Sequence, residues 1–335
     1  MKTGIRTLYA SAAAAALALA TTAASAETYT LIGAVQFDDN HAFTKLMVKF
    51  EELVHEYYTG PDEVVFELHK NSELGLEKDY FEYMSQGISV DYAVVSPSHM
   101  STFSPMAPLM DMPFLFRDLD HWDAVLRSDA FQPIVDDVYN NGDVMLIGYG
   151  GGGTRNLIVN RPVTNMAELE GLPMRVMGAP IQTMIFEAVR AAPSVIAYDE
   201  VYNAIQTGVI DAAENEAAGI EQMHFYEVGP FISLTQHAIT VRPLCFAGAT
   251  FRRLPEDLQQ AILRAGQEAG EYGRQLESSQ DSEKLAAMEA AGLLQTVVFT
   301  ERDQLLSLAE PVKEEYAASL GATEVLHAIN AVQAD

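Results

Sequence analysis

The chain has 335 residues, 49% of them hydrophobic, and carries 47 acidic side chains against 20 Lys plus Arg, for a formal charge of −27. That surplus of acid excludes a nucleic-acid binder, which needs a basic face to neutralise phosphate, and argues against docking on anionic lipid. The one cysteine, Cys245, excludes an internal disulfide framework and a cysteine-based zinc site, and the length suits two domains or one large one.

The N-terminus reads as a secretory signal. Lys2 and Arg6 form a basic start, Ala10–Ala20 is an apolar core, and Ala24-Ser25-Ala26 offers small residues for cleavage. Removing residues 1–26 takes two of the 20 basic residues and no acid, which leaves 18 against 47 and a formal charge of −29. An exported chain without disulfides points to a bacterial periplasm. No direct membrane insertion is expected after cleavage. Ala93–Met110 lacks Asp, Glu, Lys and Arg, but Pro97, Pro105, Pro108 and its serines make it a loop-rich wall and not a span.

The first strand is predicted at Glu27–Val35, followed by a loop and helix cap at Phe37–His41. Apolar residues at helical spacing (Phe43, Leu46, Met47, Phe50, Leu53, Val54, Tyr57) predict a helix over Ala42–Tyr58. A strand at Val64–Leu68, a helix at Glu77–Gly87 and a strand at Tyr92–Val95 complete an alternating set. Such a set implies parallel pairing, with ligands bound off the carboxyl ends of the strands. His121–Asn140 is predicted as one helix and Val144–Gly148 as a strand. The run Gly148–Gly153 contains a formal G-x-G-x-x-G, but strand-like Thr154–Asn160 follows where a dinucleotide site needs a helix. The run is read instead as a flexible crossing between domains.

A second set follows: a short helix at Asn165–Leu169, a strand at Met174–Met177, a helix at Pro180–Arg190, a strand at Ser194–Ala197, a helix from Asp199 to Thr207, and Val209–Ala212 leading into Glu214-Asn215-Glu216. His237–Phe246 is expected to cross back. Leu254–Gly270 and Tyr272–Ala290 are helical, and so is the tail, Glu301–Ala334. Two similar-sized α/β lobes are the expected architecture.

Two arginines, Arg155 and Arg175, lie 20 residues apart in apolar, strand-like surroundings. Guanidinium is planar and permanently charged, and it grips a carboxylate with two parallel hydrogen bonds. The two readings are a carboxylate-binding cleft, or an internal ion pair for each arginine with one of the many acids. Catalytic signatures are missing. No G-x-S-x-G elbow, H-E-x-x-H or Walker loop occurs, and the eight histidines are scattered. Acidic pairs such as Asp136-Asp137 and Glu314-Glu315 would serve a glycosidase only if the fold brought them to one cleft. No catalytic residue, metal or cofactor is assigned.

GTRNL (Gly153–Leu157), GLPMRVMGAP (Gly171–Pro180), DEVYNAIQTGVID (Asp199–Asp211), AAEN (Ala212–Asn215) and HFYEVGPFISLTQH (His224–His237), with PFLFRD (Pro113–Asp118) upstream, occur in this order. The chain thereby resembles the solute-binding proteins of tripartite ATP-independent periplasmic (TRAP) transporters, most densely from Pro113 to Leu258. The resemblance implies a periplasmic-binding-protein architecture with mixed sheets, two lobes, an interlobe cleft and a long helix spanning both lobes. The lobes are expected at 27–152 with 241–281, and at 153–240 with 282–335. It implies a monomer that closes on a small organic acid and delivers it to membrane permease subunits.

Carried over by motif, Arg175 is expected to clamp the ligand carboxylate, Arg155 to be the second cation, Asn215 a side-chain amide contact and Tyr198 an aromatic wall. Glu77, Ser96 and His41 fall where first-lobe contacts are expected. Glu216 stands where the family often has proline. Its carboxylate could take hydroxyls or an amine from the ligand, or face solvent. The reading is a binding protein and not an enzyme, for a sugar acid first (a uronate or aldonate) and a hydroxy acid or dicarboxylate second. A secreted hydrolase with a two-carboxylate cleft, and a sensor presenting ligand to a receptor kinase, are the alternatives.

Overall fold

The computed structural model describes residues 26–334; the expected signal peptide, but for Ala26, lies outside them. Strands β1 (Thr28–Ala34) and β2 (Glu63–His69) pair in parallel along their whole length. Helix α1 (Ala42–Tyr57) connects them and buries Phe43, Leu46, Met47, Phe50, Leu53 and Val54, as their spacing predicts. Helix α2 (Glu77–Gln86) ends at Gly87, whose left-handed φ of 67° closes the last turn. The buried strand β3 (Tyr92–Val94) then pairs with β1 in parallel. Residues 96–114 hold two short 3-10 turns, Pro97–Met100 and Ala107–Met110, in keeping with their prolines.

The helix predicted over 121–140 is two: α3 (Leu119–Arg127) and α4 (Gln132–Gly142). Ser128 ends the first by turning its hydroxyl to accept from Ala130 N, and Pro133 starts the second, where its missing N–H costs nothing. Strand β4 (Val144–Val159) runs unbroken through the glycine run Gly148–Gly153, expected as a flexible crossing and here part of a continuous strand. Next come α5 (Met166–Leu169), β5 (Pro173–Val176), α6 (Pro180–Ala188), β6 (Ala192–Val195), α7 (Val201–Gln206), β7 (Ala212–Asn215) and α8 (Ala217–Gln222). A second long strand, β8 (Phe231–Ala247), returns beside β4. After α9 (Gly248–Phe251), helix α10 (Glu256–Ala290) is continuous for 35 residues. An unanticipated short strand, β9 (Gln295–Val298), precedes α11 (Arg302–Ser319) and α12 (Thr323–Ala331).

The described strands form one mixed sheet, ordered β2-β1-β3-β8-β4-β7-β5-β6 with β9 beside β8. Two α/β lobes with mixed sheets were expected. They are fused because β4 and β8 are each long enough to belong to both lobes. The molecule is a two-lobed α/β protein, and α10 spans it, packing on α1 and β4 and later on α8. The glycines of β4 make that contact possible. A Cβ at Gly148 would stand 2.0 Å from Gly266 O, and one at Gly270 would stand 2.6 Å from Tyr149 N. Gly151 and Gly152 have φ of +106° and +120°, which other residues rarely adopt, and here β4 shifts register against β8. No described helix is long and apolar enough to cross a membrane.

Candidate ligand-binding site

Neighbouring strands β4, β7 and β5 carry Arg155, Glu214 and Arg175. All three side chains are buried, so each charge needs a partner. Arg155 has its partners. Its Nε and Nη2 donate to the two carboxylate oxygens of Glu214 (2.5 and 2.9 Å), Nη2 also reaches Glu214 O (2.9 Å), and Nη1 reaches Glu216 Oε2 (2.7 Å). Glu214 also accepts from His237 Nε2 at 3.2 Å. Burial opposes ionisation of Arg155 and Glu214 alike, but their mutual attraction prevails. The Arg155 guanidinium is raised above its ordinary range, and Glu214 is pulled well below the usual carboxylate range.

Arg175 does not have them. Its Nε donates to Ile196 O (3.0 Å), and Nη1 stands 4.0 Å from Glu214 Oε1. Neither terminal nitrogen makes a hydrogen bond among the described residues. Burial lowers its pKa, Glu214 compensates in part, and Arg155 opposes it. An under-compensated guanidinium with a free two-pronged edge has the geometry to receive a carboxylate.

That edge meets an interlobe cavity of about 280 Å³, walled by Gln36, Leu76, Lys78, Ser98, His99, Ser101 and Thr102 on one side and by Arg175, Gly178 and Val195–Tyr198 on the other. A narrow extension continues inward to Phe37, Glu77, Arg155, Met177, Asn215, Glu216 and Arg242. Tyr198 places its ring 5.6 Å from the Arg175 guanidinium, and its hydroxyl accepts from Asn215 Nδ2 at 2.7 Å. Asn215 is fixed at its other end, where Oδ1 accepts from Glu216 N (3.0 Å). His99 is held neutral: burial first, then Arg175, Arg242 and Arg155, lower its pKa to about 3.

Six of the eight residues singled out from the sequence meet here: Arg175, Arg155, Asn215, Tyr198, Glu77 and Glu216. Arg155, expected as the second cation, arrives already engaged by Glu214 and Glu216; only one of its five N–H groups remains uncommitted. Ser96 does not line the cleft. It is fully buried, its N–H donates to Glu77 Oε2 (2.6 Å) and its hydroxyl to Asp111 (2.5 Å), so it positions Glu77 from behind. His41 is also corrected. Its Nδ1 caps α1 by accepting from Phe43 N (3.2 Å), its ring stacks on Phe37 at 3.9 Å, and it faces a different cavity.

Arg242 on β8 was missed. It lies 5.2 Å over the Phe43 ring and 3.9 Å from Glu77 Oε1, and its buried Nε has no hydrogen bond. The signal was present. Arg242 stands in an apolar stretch, as Arg155 and Arg175 do, but that stretch was read only as a crossing strand. Gln36 carries no such signal and is delivered by the end of β1; His99 lies in the loop after β3, at the carboxyl end of that strand, where a ligand is expected in such a sheet.

Residues 33–319 match the profile of the bacterial extracellular solute-binding protein, family 7 (DctP). A solute-binding protein of Sulfitobacter sp. strain NAS-14.1 is 54% identical over 321 residues, 96% of each chain. A crystal structure of a TRAP periplasmic solute-binding protein from Sulfitobacter sp. NAS-14.1, with bound α-D-taluronate, is similar at TM-score 0.88 and 54% identity, over 90% of this chain and 97% of that one. The 2,3-diketo-L-gulonate-binding periplasmic protein of Escherichia coli K12 is 30% identical over 259 residues, 77% of each chain. A TRAP periplasmic solute-binding protein from Roseobacter denitrificans, with bound β-D-glucuronate, has TM-score 0.84 at 27% identity, over 91% of this chain and 100% of that one.

Proposed function

The chain belongs to family 7 of the bacterial extracellular solute-binding proteins and is a TRAP-type solute-binding protein; from that premise we propose that it captures a sugar acid, a uronate or aldonate, by closure of its lobes. The observation that carries this reading is the unequal state of the two arginines. Arg175 offers a free bidentate edge, whereas Arg155 is consumed by Glu214 and Glu216. Arg175 is therefore the arginine of the pair that is placed to take the ligand carboxylate. Around it, Glu216, Glu77, Asn215 and Arg242 supply acceptors and donors suited to hydroxyl groups. A polyhydroxy monoacid fits this better than a dicarboxylate. The taluronate and glucuronate bound by the two relatives support the same class.

A bidentate contact in a closing, water-poor cleft strengthens as the local dielectric falls. With charge-assisted hydrogen bonds worth about 1.5–3 kcal/mol each, loss of Arg175 costs a few kcal/mol of affinity. Ligand that touches both lobes favours the closed state, and closure is the delivery form for membrane permease subunits. In this reading the protein works as a periplasmic monomer without catalysis. The chain passes between lobes near 152/153 and 240/241, where β4 slips register against β8, and near 281/282, within α10.

The test is a thermal-shift screen of sugar acids, hydroxy acids, dicarboxylates, amino acids and neutral sugars, run beside Arg175→Ala. Ligand at about 100 times its dissociation constant adds roughly 2.7 kcal/mol. A uronate or aldonate should raise the melting temperature of the parent and not of the variant. Equal stabilisation of both proteins, or a response to neutral sugars alone, overturns the reading. Turnover of a glycoside would favour a hydrolase.

A further inference from the structure

Behind Phe37, away from the arginines, lies a second interlobe cavity of about 500 Å³. Its walls are the turn before α1 and the start of that helix (Asp38, His41, Lys45), and facing them α8 and α10 (Glu221, Gln222, Lys284). It shares no lining residue with the arginine site. His41 is only 4% exposed. Because its Nδ1 accepts from Phe43 N, that nitrogen carries no proton. Burial first, and then Arg242, Lys284 and Lys45, hold the ring pKa to about 3, so the ring is neutral and Nε2 carries the hydrogen. That buried N–H has no acceptor, and the buried Oε1 of Gln222 has no donor. Native proteins rarely leave such atoms unpaired. Of the two lysines, Lys284 is paired with Glu221 at 2.5 Å, whereas Lys45 makes no ion pair among the described residues.

We propose that this cavity is a second binding site, for a small hydroxy-carboxylate. A hydroxyl both accepts and donates, so one such group satisfies His41 Nε2–H and Gln222 Oε1 together, while the carboxylate pairs with Lys45. Both lobes contribute walls, so occupancy favours the closed arrangement.

The test uses Arg175→Ala protein, in which the arginine site is disabled, with D-glycerate, glycerol and propionate as probes. Binding is followed by calorimetry and by NMR of the histidine ring nitrogens. D-Glycerate should bind one-to-one and shift the His41 ring signals. Its affinity should fall at least about tenfold on adding Lys45→Met, Gln222→Leu or His41→Asn, the asparagine keeping an acceptor for Phe43 N. Glycerol and propionate should bind more weakly by a similar factor. Neither Lys45 nor Gln222 lines the arginine site, so residual binding there would leave the variants unaffected and the proposal overturned. It is equally overturned if D-glycerate leaves the His41 signals in place, or if glycerol or propionate matches it.

Discussion

Arg155 on β4 and Arg175 on β5 flank one carboxylate, Glu214 on the strand between them, and meet opposite electrostatic fates. Arg155 takes both Glu214 oxygens and adds Glu216, so its charge belongs to the fold. Arg175 is left 4.0 Å away, with an open edge toward the cleft, so its charge belongs to whatever enters. The lesson is that a buried arginine is not a site by virtue of being buried. What distinguishes the two is whether the protein's own acids have already used the guanidinium.

The largest effect should come from Arg155→Met. It strands two buried carboxylates, and breaking a buried pair by removing one partner costs about 3–5 kcal/mol. Denaturant unfolding should show that loss even without ligand; a change below about 1 kcal/mol would mean the pairing is not structural.

The pH response comes next and separates carboxylates as the arginines are separated. Asp281, on α10, accepts from Thr154 N and Ala217 N, yet burial foremost raises its pKa from 3.8 to about 6. Its folded pKa lies above its unfolded one, so its favourable contribution is complete below pH 4 and is lost as pH rises through 6. Glu214 has the opposite sign: its contribution is present above the ordinary carboxylate range and is lost only in strong acid. Lowering pH from 7 to 5 should therefore stabilise the protein by about 1.3 kcal/mol through Asp281 while the Arg155 cluster holds. Asp281→Asn should flatten that part of the profile of melting temperature against pH. An unchanged slope would assign it elsewhere.

Arg175→Met sharpens the contrast from the other side. It removes an under-compensated buried cation at the expense of one hydrogen bond to Ile196 O, so ligand-free stability should move by less than about 1 kcal/mol while binding is lost. A loss as large as that of Arg155→Met would erase the distinction between the two arginines. Smallest is Tyr198→Phe. It deletes the acceptor of Asn215 Nδ2 and should weaken the proposed sugar-acid binding by about 0.5–1.5 kcal/mol, measured by calorimetry.

Much of the fold was legible because local patterns encode it. The spacing from Phe43 to Val54 is the buried face of α1, and the alternation of strand and helix is the parallel part of the sheet. The glycine run reads as a flexible crossing, and nothing local reveals that these glycines sit in a continuous strand, with Gly148 against the backbone of Gly266 118 residues later. The helix predicted over 121–140 failed for a nearer reason: Ser128 and Pro133 were visible break signals that apolar spacing outweighed.

The sequence by itself determined the two-lobed α/β class, the family, and which residue types gather at the cleft, because periodicity and ordered motifs are properties of the chain alone. Only the tertiary structure decided that β4 and β8 fuse the lobes into one sheet, that Ser96 and His41 stand behind the cleft, and that Arg242 joins it. It also decided which arginine is free. That choice turns on Arg155 standing 2.5 Å and Arg175 4.0 Å from Glu214, and such distances are fixed by strand order and register, which no local stretch of sequence contains.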